Sequence, residues 1–256
     1  MIFASVCIGK DRVTETLHLL NDLRNIDSSI YLLTDQDINY DLYQFSNVIP
    51  IKTNHVWTDF ERFFSIKKAF LETDAKYVYY VDSDSRFFNC YKEKFNKEKF
   101  INLLDTIDFD ILSSWALDPV RLQLEAPNPN ENKEIRNYRF GFEPLIQFLK
   151  EKDPNCDSLL DVGSPLETVL IFKRSDKMFR YIEDLLNVRH ILVHEEEKIG
   201  RKIKAPGCGF ALRMLQNAHN INIVNSKIVY HFLKGNFLRE VFPFNFKIDY
   251  NEKIFL

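Results

Sequence analysis

The sequence predicts an α/β protein with a Rossmann-like, mostly parallel or mixed central sheet flanked by helices. Apolar runs alternate with helical patterns through the first half of the chain, in a β-α-β-β-α-β order that is typical of such a sheet. The apolar runs are continuous rather than alternating, as burial of a strand on both faces requires. No stretch of the 256 residues has the composition of a linker. We therefore predict one domain over 1–256.

The predicted strands are short, rich in apolar and β-branched residues, and occupy 2–8, 29–35, 47–52, 77–81 and 109–115. Leucine and phenylalanine at helical spacing predict helices over 13–25 and 59–73. The second half predicts a strand, a turn and a helix within 166–187, a helix over 210–218 and an extended segment over 220–232. The polar stretch 118–140 contains PNPNEN, which predicts a loop.

Composition excludes several classes of function. The net charge of -3 argues against a general nucleic-acid binder, which usually has a strongly basic face. No window approaches the roughly 18 apolar residues of a membrane span, and the N-terminus has the pattern of a strand rather than of a signal peptide. The four cysteines are scattered and form no CxxC pair. They predict reduced thiols and a cytoplasmic location.

The stretch YVYYVDSDSRFF begins as the most hydrophobic strand of the chain and then switches to Asp82 and Asp84. In parallel α/β sheets, ligands bind outside the carboxyl ends of the strands. Residues two apart in an extended segment point the same way, so these carboxylates repel each other unless a cation lies between them. Mg²⁺ or Mn²⁺ suits such a site, together with substrate phosphates. The alternative is a polar turn with local backbone bonds.

The same stretch resembles the DxD motif of metal-dependent glycosyltransferases with the A-type fold. The resemblance is good over residues 1 to 90, generic over 160–236 and absent between. It implies that Asp82 and Asp84 hold Mn²⁺ or Mg²⁺ and that this metal carries the diphosphate of a nucleotide sugar. Two other segments resemble parts of the nucleotide pocket. The segment VCIGKDR resembles its first loop, and IYLLTD resembles its second strand. The block 57–87 resembles retaining members and places Arg62 on the helix before the motif. The nucleotide-binding candidates are Cys7, Ile8, Gly9, Thr34, Asp35, Arg62, Val81, Asp82 and Ser83.

The late segment IVYHFLKGNF resembles the place where many retaining A-type enzymes carry a histidine that completes the metal site. The resemblance implies that His231 is the third metal ligand and that Lys234 and Gly235 grip the diphosphate. Lysine would stabilise the charge that develops on the departing phosphate, which makes Lys234 a catalytic candidate. The spacing is compressed relative to the best-known version. The alternative is a partly buried histidine and a surface lysine.

The stretch VGSPLETVLIF resembles segments where A-type enzymes contact the donor and acceptor sugars, here through Gly163, Ser164 and Glu167. Glu167 is the acidic candidate at the reacting carbon, as a base in an inverting reaction or a polar stabiliser in a retaining one. The alternative is that it caps a strand. Trp115 suits either stacking on a sugar or core packing.

Two charged segments carry open alternatives. The stretch 194–210 predicts a mobile loop, either a lid that brings Lys202 and Lys204 to phosphate or a solvated surface loop. The C-terminal tail mixes phenylalanine with basic residues, which suits core packing better than peripheral membrane contact.

The expected function is therefore transfer of a hexose from a nucleotide-diphosphate sugar, favouring a UDP-sugar, to a hydroxyl of a glycan or glycolipid acceptor. The resemblance favours a retaining hexosyltransferase of polysaccharide biosynthesis, with 1–115 as a nucleotide-binding half and 116–256 as an acceptor-side half. Three alternatives remain. They are a haloacid-dehalogenase-type phosphatase with Asp82 as nucleophile, a sugar nucleotidyltransferase, and a non-catalytic module that binds nucleotide sugars.

Overall fold

A computed structural model of the chain describes residues 1–24, 26, 29–43, 45, 48–53, 58–87, 95–113, 116–119, 143–165, 167–199, 208–226 and 232–234. Within these ranges the strands are β1 (Ile2–Cys7), β2 (Ile30–Thr34), β3 (Val48–Lys52), β4 (Tyr77–Val81), β5 (Ser85–Phe87), β6 (Ile111–Ser113), β7 (Ala116–Pro119), β8 (Gly163–Pro165), β9 (Val169–Lys173), β10 (Ile223–Asn225) and β11 (Phe232–Lys234). The α-helices are α1 (Val13–Arg24), α2 (Thr58–Glu72), α3 (Lys97–Asp105), α4 (Glu143–Lys152), α5 (Asp176–Ile199) and α6 (Cys208–Met214).

Seven of these strands form the central sheet, in the order β10-β6-β9-β4-β1-β2-β3. Neighbouring strands run parallel except at β9, which is antiparallel to both β4 and β6. Two short pairs, β5 with β11 and β7 with β8, lie outside this sheet. The mixed sheet flanked by helices confirms the predicted fold class.

The core lies on both faces of the sheet because successive side chains of a strand point to opposite faces. Residues of α2, α4, α5 and α6 pack with Val78 and Tyr80 on one face. Residues of α1 and α3 pack with Tyr77, Tyr79 and Val81 on the other. All five residues of β4 are therefore buried, as its continuous apolar sequence predicts.

The helix α5 is longer than the sequence predicts. The charged segment that begins at His194 continues this helix to Ile199, so the prediction of a loop over 194–210 is wrong for residues 194–199 and 208–210. Val188, Leu192 and Glu195 are buried at helical spacing, and this packing outweighs the high charge of the segment. Lys202 and Lys204 lie outside the described residues.

Buried ion pairs join the helices behind the sheet. The Glu61 and Arg189 side chains, 2.7 Å apart, connect α2 to α5 and are almost completely buried. Asp184, also on α5, accepts from Lys152 at 2.9 Å and lies 2.8 Å from the His219 ring. The Glu61–Arg189 pair fixes α5 against α2, the helix that precedes the acidic stretch, and the Asp184 contacts connect α5 to α4 and to the segment after α6.

Cys7, Cys156 and Cys208 are buried, and no two of the cysteines within the described ranges form a disulfide. Among the helices that the structure describes, none is long and apolar enough to cross a bilayer. Most of the predicted 118–140 loop and the C-terminal tail lie outside the described residues.

Candidate functional site

The carboxyl ends of β1 and β4 lie side by side at the centre of the sheet. From β1 the chain proceeds to β2 and β3 on one side, and then returns through α2 to place β4 on the other side of β1. Such a reversal of strand order opens a crevice where open α/β sheets bind ligands. The loop with Gly9 and Arg12 follows β1 at this point, and Asp82 and Asp84 follow β4.

The acidic stretch leaves β4 as a tight turn. The Ser85 amide donates to the Asp82 carbonyl at 2.9 Å, and the Asp82 amide donates to the Thr168 carbonyl at 2.9 Å. The segment from Asp82 to Asp84 is therefore a turn, and the expectation of an extended segment whose two carboxylates point the same way is wrong. The backbone closes the turn, while both carboxylates reach arginines from other elements.

Asp82 is held from the α2 side of the sheet. Its Oδ1 accepts from the Tyr80 hydroxyl at 2.7 Å and lies 3.6 Å from Nη2 of Arg62. The Arg62 guanidinium lies 4.8 Å from the centre of the Tyr80 ring. Burial lowers the pKa of Arg62, but the acidic groups around it outweigh burial, and its pKa stays well above its ordinary value. Arg62 is therefore a permanent buried cation beneath Asp82.

Asp84 is held from the β1 side. Its Oδ2 lies 3.3 Å from Nη1 of Arg12, which also bonds Glu15 at 2.8 Å. The hydrogen bond to Glu15 raises the pKa of Arg12, and the charges of Asp84 and Asp82 add to this effect. The side chain of Asp84 is 22% exposed and that of Asp82 15%, so both reach the surface of the crevice.

The first loop is shaped by Gly9 and Asp35. The Gly9 amide donates to Oδ1 of Asp35 at 3.0 Å, which joins the end of β1 to the end of β2. Gly9 has φ 90° and ψ 141°, a conformation that side chains with a Cβ rarely adopt. A Cβ at Gly9 would meet no atom within 4 Å, so glycine is required by the backbone and not by space.

The other nucleotide-binding candidates differ in exposure. Ile8 is partly exposed, whereas the side chains of Cys7, Thr34, Val81 and Ser83 are buried. Burial raises the pKa of the Cys7 thiol, so the thiol stays protonated near neutral pH. Thr34 accepts from the Gln36 amide at 3.0 Å and shapes the loop after β2. Ile8 and Asp35 are thus the more accessible of these side chains.

Glu167 reaches the same edge because β9 is antiparallel and starts where β4 ends, with Val169 opposite Val81. Its carbonyl accepts from Nη1 of Arg62 at 2.5 Å, and its Oε1 accepts from the Gly209 amide. A Cβ at Gly209 would lie 2.7 Å from that oxygen and 2.8 Å from the Pro165 carbonyl. Only glycine therefore allows α6 to lie this close to Glu167 and Pro165. Arg62 therefore contacts both Asp82 and Glu167.

The late segment also reaches the acidic turn. β11 pairs antiparallel with β5 and places Lys234 opposite Ser85, the residue after Asp84. His231, Gly235 and Trp115 lie outside the described residues, as do the side chains of Lys234 and Ser164. The structure thus brings the backbone of Lys234 to the turn, and the role of His231 stays a prediction.

Asp82 and Asp84 supply two carboxylates, which is a donor set that fits Mg²⁺ or Mn²⁺ when substrate phosphates complete the coordination. Within the described ranges, no three His, Cys, Asp or Glu side chains form a metal-binding group. A third protein ligand would have to come from elsewhere in the chain, as the prediction for His231 requires.

Three site residues were missed from the sequence. Tyr80 could have been found from the sequence, because it is the second-last residue of the strand and lies two positions before Asp82. Arg12 had only its position after the first strand. Gly209 had none, since its partner Glu167 lies 42 residues away in the chain.

The chain matches no protein-family model and no curated protein sequence. It is similar to solved structures of glycosyltransferases. Mouse xyloside xylosyltransferase 1 has 10% identity and a TM-score of 0.46, with 88% of this chain and 84% of that chain covered. Galactosyltransferase LgtC, solved with donor and acceptor sugar analogues, has 10% identity and a TM-score of 0.43, with coverages of 84% and 70%. Streptococcus pneumoniae GlyE has 16% identity and a TM-score of 0.40, with coverages of 88% and 45%. Similarities this distant assign no activity to this chain.

Proposed function

We propose that the protein is a metal-dependent glycosyltransferase that moves a sugar from a nucleotide-diphosphate donor, a UDP-hexose by preference, to a hydroxyl of a glycan or glycolipid. The observation that supports it most is the position of the acidic turn. Asp82 and Asp84 lie at the crevice between β1 and β4, where the sheet reverses its strand order. A carboxylate pair at this point suits a divalent cation and a diphosphate.

The nucleotide would bind across the ends of β1 and β2. The bond from Gly9 to Asp35 fixes the backbone of the first loop beside the crevice, and Ile8 presents a partly exposed apolar side chain there. A rigid backbone with one apolar contact suits the flat base and the ribose of a nucleotide.

The metal, Mn²⁺ or Mg²⁺, would be held by Asp82 and Asp84, with His231 as the proposed third ligand. When bound, such an ion neutralises charge on the diphosphate leaving group. Lys234 lies opposite Ser85, the residue after the same turn, through the pairing of β11 with β5, and it would add a second positive charge. The other residues of the site would orient the metal ligands and Lys234.

Glu167 is the proposed acidic group on the sugar side. Its contact with Gly209 orients the carboxylate at the start of α6, and its backbone is fixed by Arg62. In a retaining reaction, which we favour, Glu167 would stabilise positive charge on the reacting carbon. In an inverting reaction it would instead remove the proton from the acceptor hydroxyl.

A thermal-shift screen of UDP-, GDP- and CMP-sugars with and without Mn²⁺ tests the proposal. We expect stabilisation by one nucleotide class, only with metal, and loss of the shift in Asp84→Asn. At a ligand concentration of 100 Kd the gain would be about 2.7 kcal/mol.

The matched control is Asp74→Asn, which removes the same charge from an exposed residue before the opposite end of β4. It should keep the full shift. Equal shifts in Asp84→Asn and wild type would count against the metal site. Donor binding without hydrolysis or transfer would instead support a non-catalytic module, and a phosphoenzyme trapped by beryllium fluoride on Asp82 would support the phosphatase alternative.

A further inference from the structure

We propose that Tyr80 and Arg62 are positioning residues that fix one oxygen of Asp82 and connect the metal side of the site to Glu167. This inference rests on the proposed function. It differs from the sequence-based role of Arg62, since it gives this side chain no direct contact with the nucleotide. The pair is called the Tyr80–Arg62 clamp below.

Both clamp residues act on the same atom. The Tyr80 hydroxyl donates to Oδ1 of Asp82 at 2.7 Å, and Nη2 of Arg62 lies 3.6 Å from that oxygen. Tyr80 and Arg62 are buried, and the guanidinium lies against the Tyr80 ring at 4.8 Å. A carboxylate oxygen that accepts a hydrogen bond from a hydroxyl and lies beside a buried cation has little rotational freedom. The clamp therefore fixes the direction in which Asp82 faces the crevice.

The clamp also reaches the sugar side. Nη1 of Arg62 donates to the Glu167 carbonyl at 2.5 Å, while the Glu167 carboxylate accepts from the Gly209 amide. One guanidinium thus connects the end of β4 to the start of β9 and, through Glu167, to α6. Arginine is suited to this because its planar fork presents several donors in fixed directions, whereas lysine is a single point charge.

Burial argues for positioning rather than for ligand contact. The Arg62 side chain is only 6% exposed, compared with 51% for Arg12 on the other side of the same turn. The buried Arg62 guanidinium contacts Asp82 and the Glu167 carbonyl, so it acts on a ligand through these groups and not directly. Removing the guanidinium would leave both groups less firmly oriented. The expected defect is therefore a loss of metal affinity and of kcat, with a smaller change in KM for the acceptor.

Tyr80→Phe is the decisive variant, because it removes one hydroxyl and keeps the ring in the core. We expect the affinity for Mn²⁺ with UDP, measured by calorimetry or by the EPR signal of free Mn²⁺, to fall roughly tenfold. The matched control is Tyr79→Phe, which removes the same hydroxyl from a buried tyrosine on the opposite face of β4. It should bind Mn²⁺ and UDP as tightly as wild type.

Arg62→Lys tests the fork, with Arg189→Lys as its control. Arg189 is likewise a buried arginine, but the carboxylate that it pairs with is Glu61 of α2 and not a residue of the acidic turn. Both variants should melt at lower temperature, and only Arg62→Lys should lose Mn²⁺ affinity. Wild-type affinity in Tyr80→Phe would overturn the clamp while leaving the proposed function intact. Failure of wild type itself to bind Mn²⁺ with UDP or with any other nucleotide of the screen would overturn both.

Discussion

Arg12, from the loop after β1, lies 3.3 Å from Asp84, from the turn after β4, and these residues are 72 positions apart in the chain. The contact spans the crevice where the strand order reverses. Nη1 of Arg12 also bonds Glu15, so the guanidinium has a second anionic partner when it leaves Asp84. A cation that approaches Asp84 therefore competes with a side chain that can move away.

Arg12→Gln should raise the affinity for Mn²⁺ in the absence of nucleotide, because a competing positive charge is removed from Asp84. An exposed ion pair contributes about 0.2–1 kcal/mol, which corresponds to at most about a fivefold change. Mn²⁺ titration followed by EPR measures it. Lys10→Gln removes the same charge from an exposed residue of the same turn and should change the affinity less. An equal gain in both variants would indicate a general charge effect instead of competition.

Much of the fold is predictable because its strands are buried on both faces. The continuous apolar stretch Tyr77–Val81 predicts β4 with its observed limits, and the predicted strand over 47–52 differs from β3 by one residue. Helix α2 follows from Phe60, Phe63 and Phe70, which are all buried. The spacing of apolar residues along the chain predicts these elements because the buried faces of the strands and helices require apolar side chains at that spacing.

The site is less predictable because its contacts join distant parts of the chain. Asp82, Arg62 and Glu167 were all candidates from the sequence, but their contacts with one another were not, because Arg62 approaches from a helix and Glu167 depends on the reversed direction of β9. The same limit explains the error over residues 194–199. Charge is a property of single residues, whereas the burial of Leu192 and Glu195 depends on what packs against α5.

Gly9→Ala should destabilise the protein by about 1–3 kcal/mol through backbone strain alone. The residue has φ 90°, and a Cβ there would meet nothing within 4 Å, so no clash contributes. The change should also weaken nucleotide binding, since the Gly9 amide orients the loop through Asp35. Urea unfolding and UDP calorimetry measure the two effects. Wild-type stability in this variant would show that the loop adopts another backbone conformation.

Gly209→Ala should destabilise the protein through a steric clash, whereas Gly9→Ala does so through backbone strain. The added Cβ would lie 2.7 Å from the Glu167 carboxylate and 2.8 Å from the Pro165 carbonyl, so α6 must shift. We expect a cost of about 1–3 kcal/mol and a lower kcat, because Glu167 loses the amide that orients it. Ala211→Gly changes a buried position of the same helix in the reverse sense and serves as the control. Unchanged kcat in Gly209→Ala would argue against a role for Glu167 in the reaction.

Glu61→Leu should cost about 3–5 kcal/mol, because it leaves the buried Arg189 guanidinium without its carboxylate. The double variant Glu61→Leu/Arg189→Met should recover much of this loss, since a buried ion pair is often replaceable by apolar side chains of similar volume. Unfolding free energies of the four proteins in a double-mutant cycle test it. Additive losses would show that the two side chains contribute independently of each other.

Asp184 should make stability depend on pH in the acid range. Burial raises the pKa of its carboxyl, but hydrogen bonds from Lys152, His219 and Asn187 outweigh burial and lower the pKa below its ordinary value. The native state then binds this proton less readily than the unfolded chain, whose aspartate pKa is about 3.9. The stabilisation is therefore complete above that pH and is lost as the pH falls through the native pKa.

The free energy of unfolding in urea, measured between about pH 2.5 and 7, tests this dependence. Asp184→Asn should be less stable than wild type by about 1–3 kcal/mol near neutral pH, because the charged acceptor of Lys152 and His219 is removed. The difference between the two proteins should shrink as the pH falls below the unfolded pKa, since wild-type Asp184 then becomes protonated. Asp108→Asn, at an exposed residue, is the control and should run parallel to wild type. A difference between Asp184→Asn and wild type that stays constant down to pH 2.5 would show that the carboxylate contributes by packing and not by its charge.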